Sequence, residues 1–475
     1  MTDSARTLHL VSLGCPKNRV DSEVMLGTLL EGGYRVVERP EDAEVIVINT
    51  CAFIGDAKKE SLDAILEHAR FKETGRCRTL VVAGCLTQRY PEALQAELPE
   101  VDHFVGTGAY PRIAEILRSE RNRSAVPDPG FVQSSVTPRL NSMPPFTAYL
   151  KISEGCDNAC AFCIIPALRG PMRSRPIDDV VREAQALAEG GAVELNLVAQ
   201  DLTAYGYDLP GRPKLAELLR ELAQVDVRWI RLHYAYPRDF SDELIEVLAS
   251  EPRIAKYLDL PLQHASDAVL KAMRRGGGRM SIEKLLAKLR ARVPGLVLRS
   301  SFIVGFPGET AEDFQTLSDF IERQRFHHVG VFEFSREEGT AADQLPGQVP
   351  ARVKAARRRA LMKRQRAISR EHQRAYVGQD LEVLVEGSSA QTDLLLEGRH
   401  AGQAPEIDGT VLINDGEASP GDLVRVRVEE AGDYDLVGGI NGLVQRSRLP
   451  EAPRSPAPPP APSTRKRLNV LPSRH

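Results

Sequence analysis

The sequence predicts an α/β multidomain protein in three parts: an N-terminal open parallel α/β sheet, a central partial (β/α)6 barrel, and a C-terminal small antiparallel β-barrel. Three observations carry that prediction. Short apolar runs alternate with helix-period stretches from Leu8 onward. From Ala148 to Phe334, βα units recur at the spacing expected of such units. Beyond Ala375 the apolar period drops to two. A chain of 475 residues has room for several domains, with 42% hydrophobic and 27% charged residues, an ordinary globular composition.

In the N-terminal part, residues 8–13 read as a strand and 21–31 as a helix stopped at Gly32-Gly33. Residues 45–49 read as a buried strand followed by a helix through 58–69, and residues 80–83 as a third strand with a helix from Pro91. Cys15, Cys51 and Cys85 each fall just past the carboxyl end of one of these strands, where open parallel sheets gather their ligands. Glycines precede Cys15 and Cys85, which would let backbone approach a bulky group closely. The set reads as ligands of a three-thiolate iron–sulfur cluster or as three buried structural cysteines. Cys77 has no equivalent position and reads as a bystander.

A Pro- and Ser-rich segment, residues 127–145, reads as a linker. After it, strands are expected at 148–152, 194–198, 229–234, 257–260, 297–304 and 329–334, with helices at 177–189, 215–223, 241–249, 267–274, 282–293 and 311–324. Six such units without a seventh and eighth predict an open barrel, its sites on the carboxyl rim. On that rim, directly after the first strand, lies Glu154-Gly155-Cys156-Asp157-Asn158-Ala159-Cys160-Ala161-Phe162-Cys163. Three thiolates at C-x3-C-x2-C spacing cannot close a tetrahedral zinc site, and no fourth Cys or His stands nearby. A cubane iron–sulfur cluster on three thiolates would keep one iron open for a further ligand, with a structural or zinc role as the alternative. Gln200 ends the second strand, and the turn Gly305-Phe306-Pro307-Gly308 ends the fifth. Arg275-Gly276-Gly277-Gly278-Arg279 reads as a flexible loop, and His264 as a hydrogen-bonded rim residue.

Residues 351–375 form a helix-period stretch with ten Lys or Arg and a single Glu, a solvated connecting helix or a surface for RNA. Residues 381–385, 393–397, 410–413 and 423–428 read as short strands. Between Tyr376 and Gln445, fourteen acids face three arginines, although the whole chain carries a net charge of only −3. The Pro- and Arg-rich stretch 447–475 reads as a disordered tail. Seven cysteines, no secretory signature and no apolar run of membrane-spanning length predict a cytoplasmic protein without a membrane partner.

Taken together, the two cysteine sets resemble the methylthiotransferase branch of the radical S-adenosylmethionine (SAM) enzymes. Ser12-Leu13-Gly14-Cys15-Pro16-Lys17-Asn18, Asn49-Thr50-Cys51-Ala52-Phe53-Ile54 and Leu258-Asp259-Leu260-Pro261-Leu262-Gln263-His264 resemble its ribosomal-protein-modifying members. The tRNA-modifying members carry glutamine-methionine-asparagine after their first cysteine. The resemblance implies a methylthiotransferase N-terminal domain (6–122), a radical SAM core (142–375) and a TRAM domain (376–446). It implies two 4Fe-4S clusters, the radical SAM cluster on Cys156, Cys160 and Cys163 and an auxiliary one on Cys15, Cys51 and Cys85. SAM contacts are expected at Phe162, Gln200, Gly305 and Pro307. The implied reaction places a methylthio group on the β-carbon of an aspartate of small-subunit ribosomal protein twelve, using two SAM and a sulfur source. The protein or the ribosome, an electron donor such as flavodoxin or ferredoxin, and a sulfide or persulfide source are the expected partners of a monomer. An acidic C-terminal barrel would attract a basic ribosomal protein and repel RNA. The alternatives are a tRNA adenosine methylthiotransferase and a non-catalytic iron–sulfur protein that binds the ribosome.

Overall fold

In the computed structural model, which describes residues 5–119, 124–238, 240–390 and 392–448, apolar runs and their flanking helices become two parallel sheets. The first contains β1 (Thr7–Ser12), β2 (Arg35–Val36), β3 (Val45–Thr50), β4 (Thr79–Gly84), β5 (His103–Val105) and β6 (Ser124–Ala125), ordered β2-β1-β3-β4-β5-β6. Every pairing in it is parallel. The central strand β3 reads as a continuous apolar run because both its faces are covered. Val45 and Val47 pack with Met25 and Leu29 of the helix Pro16–Glu31, while Ile46 and Ile48 pack with Ile65 of the helix Gly55–Ala69. The first helix starts at Pro16, five residues before the predicted Asp21, because proline suits the first helical position.

The second sheet begins at β7 (Thr147–Lys151). A small two-stranded pairing of β8 (Ser153–Glu154) and β9 (Arg173–Ser174) closes the base of the cysteine loop. The sheet continues through β10 (Glu194–Val198), β11 (Trp229–Leu232), β12 (Ile254–Asp259), β13 (Val297–Val304) and β14 (His328–Glu333), in the order β14-β13-β12-β11-β10-β7 and open between β7 and β14. Strand residues alternate between two faces. Leu195, Leu197, Ile230, Leu232, Leu258 and Leu298 pack in the core shared with the surrounding helices. The opposite set is polar and buried: Glu194, Asn196, Arg231, His233 and Asp259.

The third module contains β15 (Asp380–Ser389), β16 (Thr392–His400), β17 (Val411–Asp415), β18 (Leu423–Ala431) and β19 (Leu436–Gln445). Their pairings run β15-β16-β17-β19-β18 and return to β15. The expected purely antiparallel arrangement of four strands is corrected here: β19 is a fifth strand, and it pairs parallel to β17. Glycines at 438, 439 and 442 interrupt its alternation and hide it from the sequence, yet a Cβ at Gly438 would lie 2.1 Å from the Arg427 carbonyl oxygen. This module packs on the amino ends of the central strands. Trp229, Ala255, Tyr257 and Val297 share a core with Leu384, Ala404 and Leu423. Glu194 is gripped by Arg231 of the neighbouring strand and Arg399 of β16, all three side chains buried.

Further readings are refined. Residues 127–145 form a strap rather than a loose linker: Arg139 pairs with Glu23 and Glu183 and donates to the Tyr149 carbonyl. The glycine run turns at Gly276 and Gly277, and its last glycine opens the helix Gly278–Arg292, capped by Gly277 at φ 99°. The basic helix Ala351–Arg374 leaves most of its Lys and Arg exposed, as a solvated connecting helix would, while Arg357, Arg364 and Arg370 pair with Glu309, Glu322 and Asp433 of this chain. Half of the fourteen acids of the third module do likewise, with Asp380, Glu382, Glu386, Glu406, Asp408, Asp422 and Asp433 paired to arginines. The attraction expected of an acidic barrel is correspondingly weaker. Among the described residues no helix is long and apolar enough to cross a membrane. The predicted tail falls almost wholly outside the described residues.

Candidate functional site

Each cysteine of the N-terminal set sits where a strand gives way to a turn or helix. Cys15 caps the helix Pro16–Glu31, Cys51 follows β3, and Cys85 opens the short helix Cys85–Arg89. Gly14 has φ +87°, and a Cβ there would lie 2.7 Å from Cys51 Cβ, so glycine lets the first loop close onto the second cysteine. Asn18 Nδ2 donates to the Leu13 carbonyl at 2.7 Å, and Asn49 Nδ2 donates to the Asn18 carbonyl at 2.8 Å. The Ser61 hydroxyl accepts from the Cys51 amide and donates to its carbonyl. Burial, then the neighbouring Cys85 and Cys15, pushes the Cys51 thiol up to about 12. Burial also raises Cys85, opposed by Arg169. Cys77 lies apart, in the apolar core between β3 and the helix Gly55–Ala69.

The second set sits past the carboxyl end of β7. Gly155 has φ +84°, and a Cβ there would fall 2.0 Å from the Pro171 carbonyl oxygen. Asn158 Nδ2 donates to Asp201 at 2.7 Å and points at Cys156 Sγ at 3.5 Å. Burial pushes the Cys163 thiol up to about 12, with Cys160 and Cys156 adding to the rise. Phe162 joins Phe306, Phe334 and Met273 in one apolar cluster, so the cysteine loop and the turn after β13 come together. Gly305, at φ +74°, gives its amide to Glu309, as does Phe306. Pro307 is buried in the same turn. Gln200 Nε2 donates to Glu154 at 2.6 Å, while Gln200 Oε1 is buried without a hydrogen-bond partner. His264 is buried deeper than a rim residue, its Nδ1 accepting from the Ser266 amide.

Four cations at this site had no role in the sequence reading. Arg169 donates to Cys85 Sγ at 3.3 Å and Asn18 Oδ1 at 3.1 Å, and reaches Asp21 and, at 3.4 Å, Glu154. One guanidinium thus touches both cysteine loops. Lys151 completes the lattice on Asp21 and Glu154. Against the upward push of burial, Lys151 and Arg169 hold the Glu154 carboxyl far below its usual range. Arg275 stacks on Tyr236 at 3.9 Å and directs Nη1 toward Cys160 Sγ at 3.7 Å. Lys17 places Nζ 3.2 Å over the ring of Tyr234, a residue at φ 62° past the end of β11. No sequence period marks such cations; only the motif position of Lys17 offered a signal.

Among the described residues, no three Cys, His, Asp or Glu side chains gather tightly enough to hold a single metal ion. Thiolates that ligate a polynuclear cluster stand further apart, each on its own iron. Positive side chains at Cys85 and Cys160 suit thiolate ligands.

A parallel sheet with a three-cysteine loop on the carboxyl rim of its first strand defines the class as radical SAM. The chain matches the family models described as Radical SAM superfamily over residues 150–321, Uncharacterized protein family UPF0004 over 7–106, and TRAM domain over 377–440. The solved structure of the radical SAM methyltransferase TsrM from Kitasatospora setae shares this fold, with a TM-score of 0.54 at 18% identity, covering 71% of this chain and 77% of that one. Within the class, this chain belongs to the ribosomal protein uS12 methylthiotransferase RimO family. It is 62% identical over 440 residues to the member from Myxococcus xanthus (strain DK1622), covering 92% of each chain. It is 61% identical over 467 residues to the member from Anaeromyxobacter sp. (strain Fw109-5), covering 98% of each.

Proposed function

We propose that this enzyme places a methylthio group on the β-carbon of an aspartate of small-subunit ribosomal protein uS12. The observation that carries the reading is Arg169, whose guanidinium touches Cys85 and Glu154 at once and so sets the two cysteine loops face to face. Such a saturated carbon has no proton an ordinary base could remove, so the cofactors carry the chemistry. When bound, a cluster on Cys156, Cys160 and Cys163 would supply the electron that cleaves SAM, and one on Cys15, Cys51 and Cys85 would hold the sulfur to be transferred.

The chain's own residues orient and insulate. Arg275 sets a positive charge beside Cys160, and Asn158 steadies Cys156. Gln200, with an unpartnered buried oxygen, offers an acceptor to SAM, and Phe162 with the turn Gly305–Gly308 forms an apolar wall beside it. The domains in this reading are 6–122, 142–375 and 376–446. A flavodoxin or ferredoxin serves as electron donor, and a sulfide or persulfide supplies sulfur to a cytoplasmic monomer.

The test offers two substrates. Enzyme reconstituted with iron and sulfide is incubated anaerobically with SAM and reductant, with uS12 in one vessel and tRNA in the other. Mass spectrometry is expected to find one added methylthio group on uS12 alone. Addition to tRNA alone would discard the substrate and keep the chemistry, and absence of SAM cleavage would discard both.

A further inference from the structure

Four buried cations join the N-terminal domain to the central sheet, and each has a carboxylate. Lys151 holds Asp21 and Glu154, Arg169 holds Asp21, Arg139 holds Glu23, and Arg89 holds Glu337. Lys17 is the exception. It is 9% exposed, yet among the described residues its ammonium makes no hydrogen bond or ion pair, only the contact with the Tyr234 ring. Of the charged groups around it, Cys15, Asp259, Arg169 and Glu154 act on it most. Asp259 is already engaged by Arg299 at 3.2 Å and by the Tyr234 amide at 3.3 Å, and Glu154 by Lys151 at 2.7 Å.

An ammonium kept from water without a countercharge is costly, and a ring face offsets only part of that cost. The position is also informative. Lys17 lies two residues past Cys15, and its ring platform stands at the carboxyl rim of the central sheet, the side that carries the Cys156 loop. A group arriving between the cysteine loops would meet this charge. We propose that Lys17 is the receptor for the carboxylate of the substrate side chain, fixing that side chain by an ion pair and selecting an acid over its amide. The inference rests on the aspartate reading above and deepens it.

The test uses holoenzyme reconstituted with iron and sulfide, without reductant, and uS12 either unaltered or with its target aspartate changed to asparagine. Affinity for each form is measured anaerobically with fluorescently labelled uS12 in the presence of SAM, beside iron content and visible absorption. The unsubstituted enzyme is expected to prefer the aspartate form by about tenfold, the worth of one charge-assisted hydrogen bond. Lys17→Met should bring the two forms within about twofold, by weakening only the aspartate form, with iron content and spectrum unchanged. Lys17→Arg should keep part of the preference.

A tenfold preference that survives Lys17→Met overturns the assignment, as does an unsubstituted enzyme that binds both forms equally. Loss of iron in Lys17→Met would instead make the lysine a partner of the N-terminal cysteines, and overturns it too. If the unsubstituted enzyme neither binds nor modifies uS12 in either form, the substrate reading falls, and the role of Lys17 falls with it.

Discussion

Replacing Arg399 by Met should loosen the C-terminal module from the central sheet. Arg399 gives Nη2 to Glu194 Oε2 at 2.8 Å, Nη1 to Glu194 Oε1 at 3.2 Å and to the Gln403 carbonyl at 3.1 Å, and Nε to Glu386 at 2.8 Å. Removing one partner of a buried pair costs about 3–5 kcal/mol, since the other charge stays buried. Arg231 still holds Glu194 at 2.8 Å, and Glu386 sits where water can reach it, so the lower end applies, about 3 kcal/mol. Methionine keeps the volume of the stem, which confines the loss to the polar head.

The assay is built into the chain. Trp229 is its single tryptophan and lies in the core between the two modules, against Leu384, Ala404 and Leu423. Urea titration of its emission therefore follows this joint. Glu194→Gln should cost at least as much as Arg399→Met, because it takes the carboxylate from the buried Arg231 and leaves Arg399 only the partly exposed Glu386. The double variant should fall short of the summed losses by more than about 1 kcal/mol, as expected for groups in one network. A loss below about 1 kcal/mol for Arg399→Met, or strict additivity in the cycle, would refute the view that this triad fastens the joint.

Three further outcomes can be checked. Arg169→Met removes a hydrogen bond and a positive charge from Cys85 Sγ, so the cluster proposed on Cys15, Cys51 and Cys85 should become harder to reduce. Potentiometric titration of a variant whose other three cysteines are alanine reads this directly, and an unchanged potential counts against it. Gly155→Ala forces a Cβ to 2.0 Å from the Pro171 carbonyl at φ +84°, and should cost the Cys156 loop its iron while Gly211→Ala, in open space, does not. Burial depresses His233 and His400 to about 3 and His264 to about 4. Below pH 6.5 the unfolded chain takes up protons that these folded histidines refuse, so their contribution is fully present above 6.5 and is lost as pH falls toward the folded values. The loss approaches about 1.4 kcal/mol per pH unit for each. Carboxylates held low by arginine, such as Glu194, add their loss only below about pH 4.5, so a urea midpoint that stays flat from pH 7 to 5 would contradict the histidine account.

The sequence was most legible where one local period governed. Strands β10 and β13 and the helices Ile177–Glu189 and Ala311–Gln324 fall where apolar spacing puts them, because each buries one unbroken face. The six cysteines expected as ligands stand just past strand ends, where their spacing and their place after apolar runs put them. Two-residue strands such as β2 and β6 are too short to show a period, and the helix at Gly278 starts inside a glycine run that reads as a loop. Arg169 and Arg275 were illegible for a different reason. Arg169 answers Asp21, Asn18 and Cys85, and Arg275 answers Cys160, all far away along the chain. A surface arginine and a buried one look alike until the fold brings the acids to it.

The strap and the Arg169 lattice bear on how the chain is made. Asp21 and Glu23 leave the ribosome early, and both end up fully buried. Their countercharges, Arg139, Lys151 and Arg169, emerge more than a hundred residues later. Until then the first sheet cannot close its core over those carboxylates without stranding them. The unit that folds during synthesis therefore runs past the first sheet to at least Arg169, and by then the first cysteine of the N-terminal set and the last of the radical SAM loop have both been made. A nascent chain halted between the two sheets would hold Cys15, Cys51 and Cys85 with no finished place to keep them.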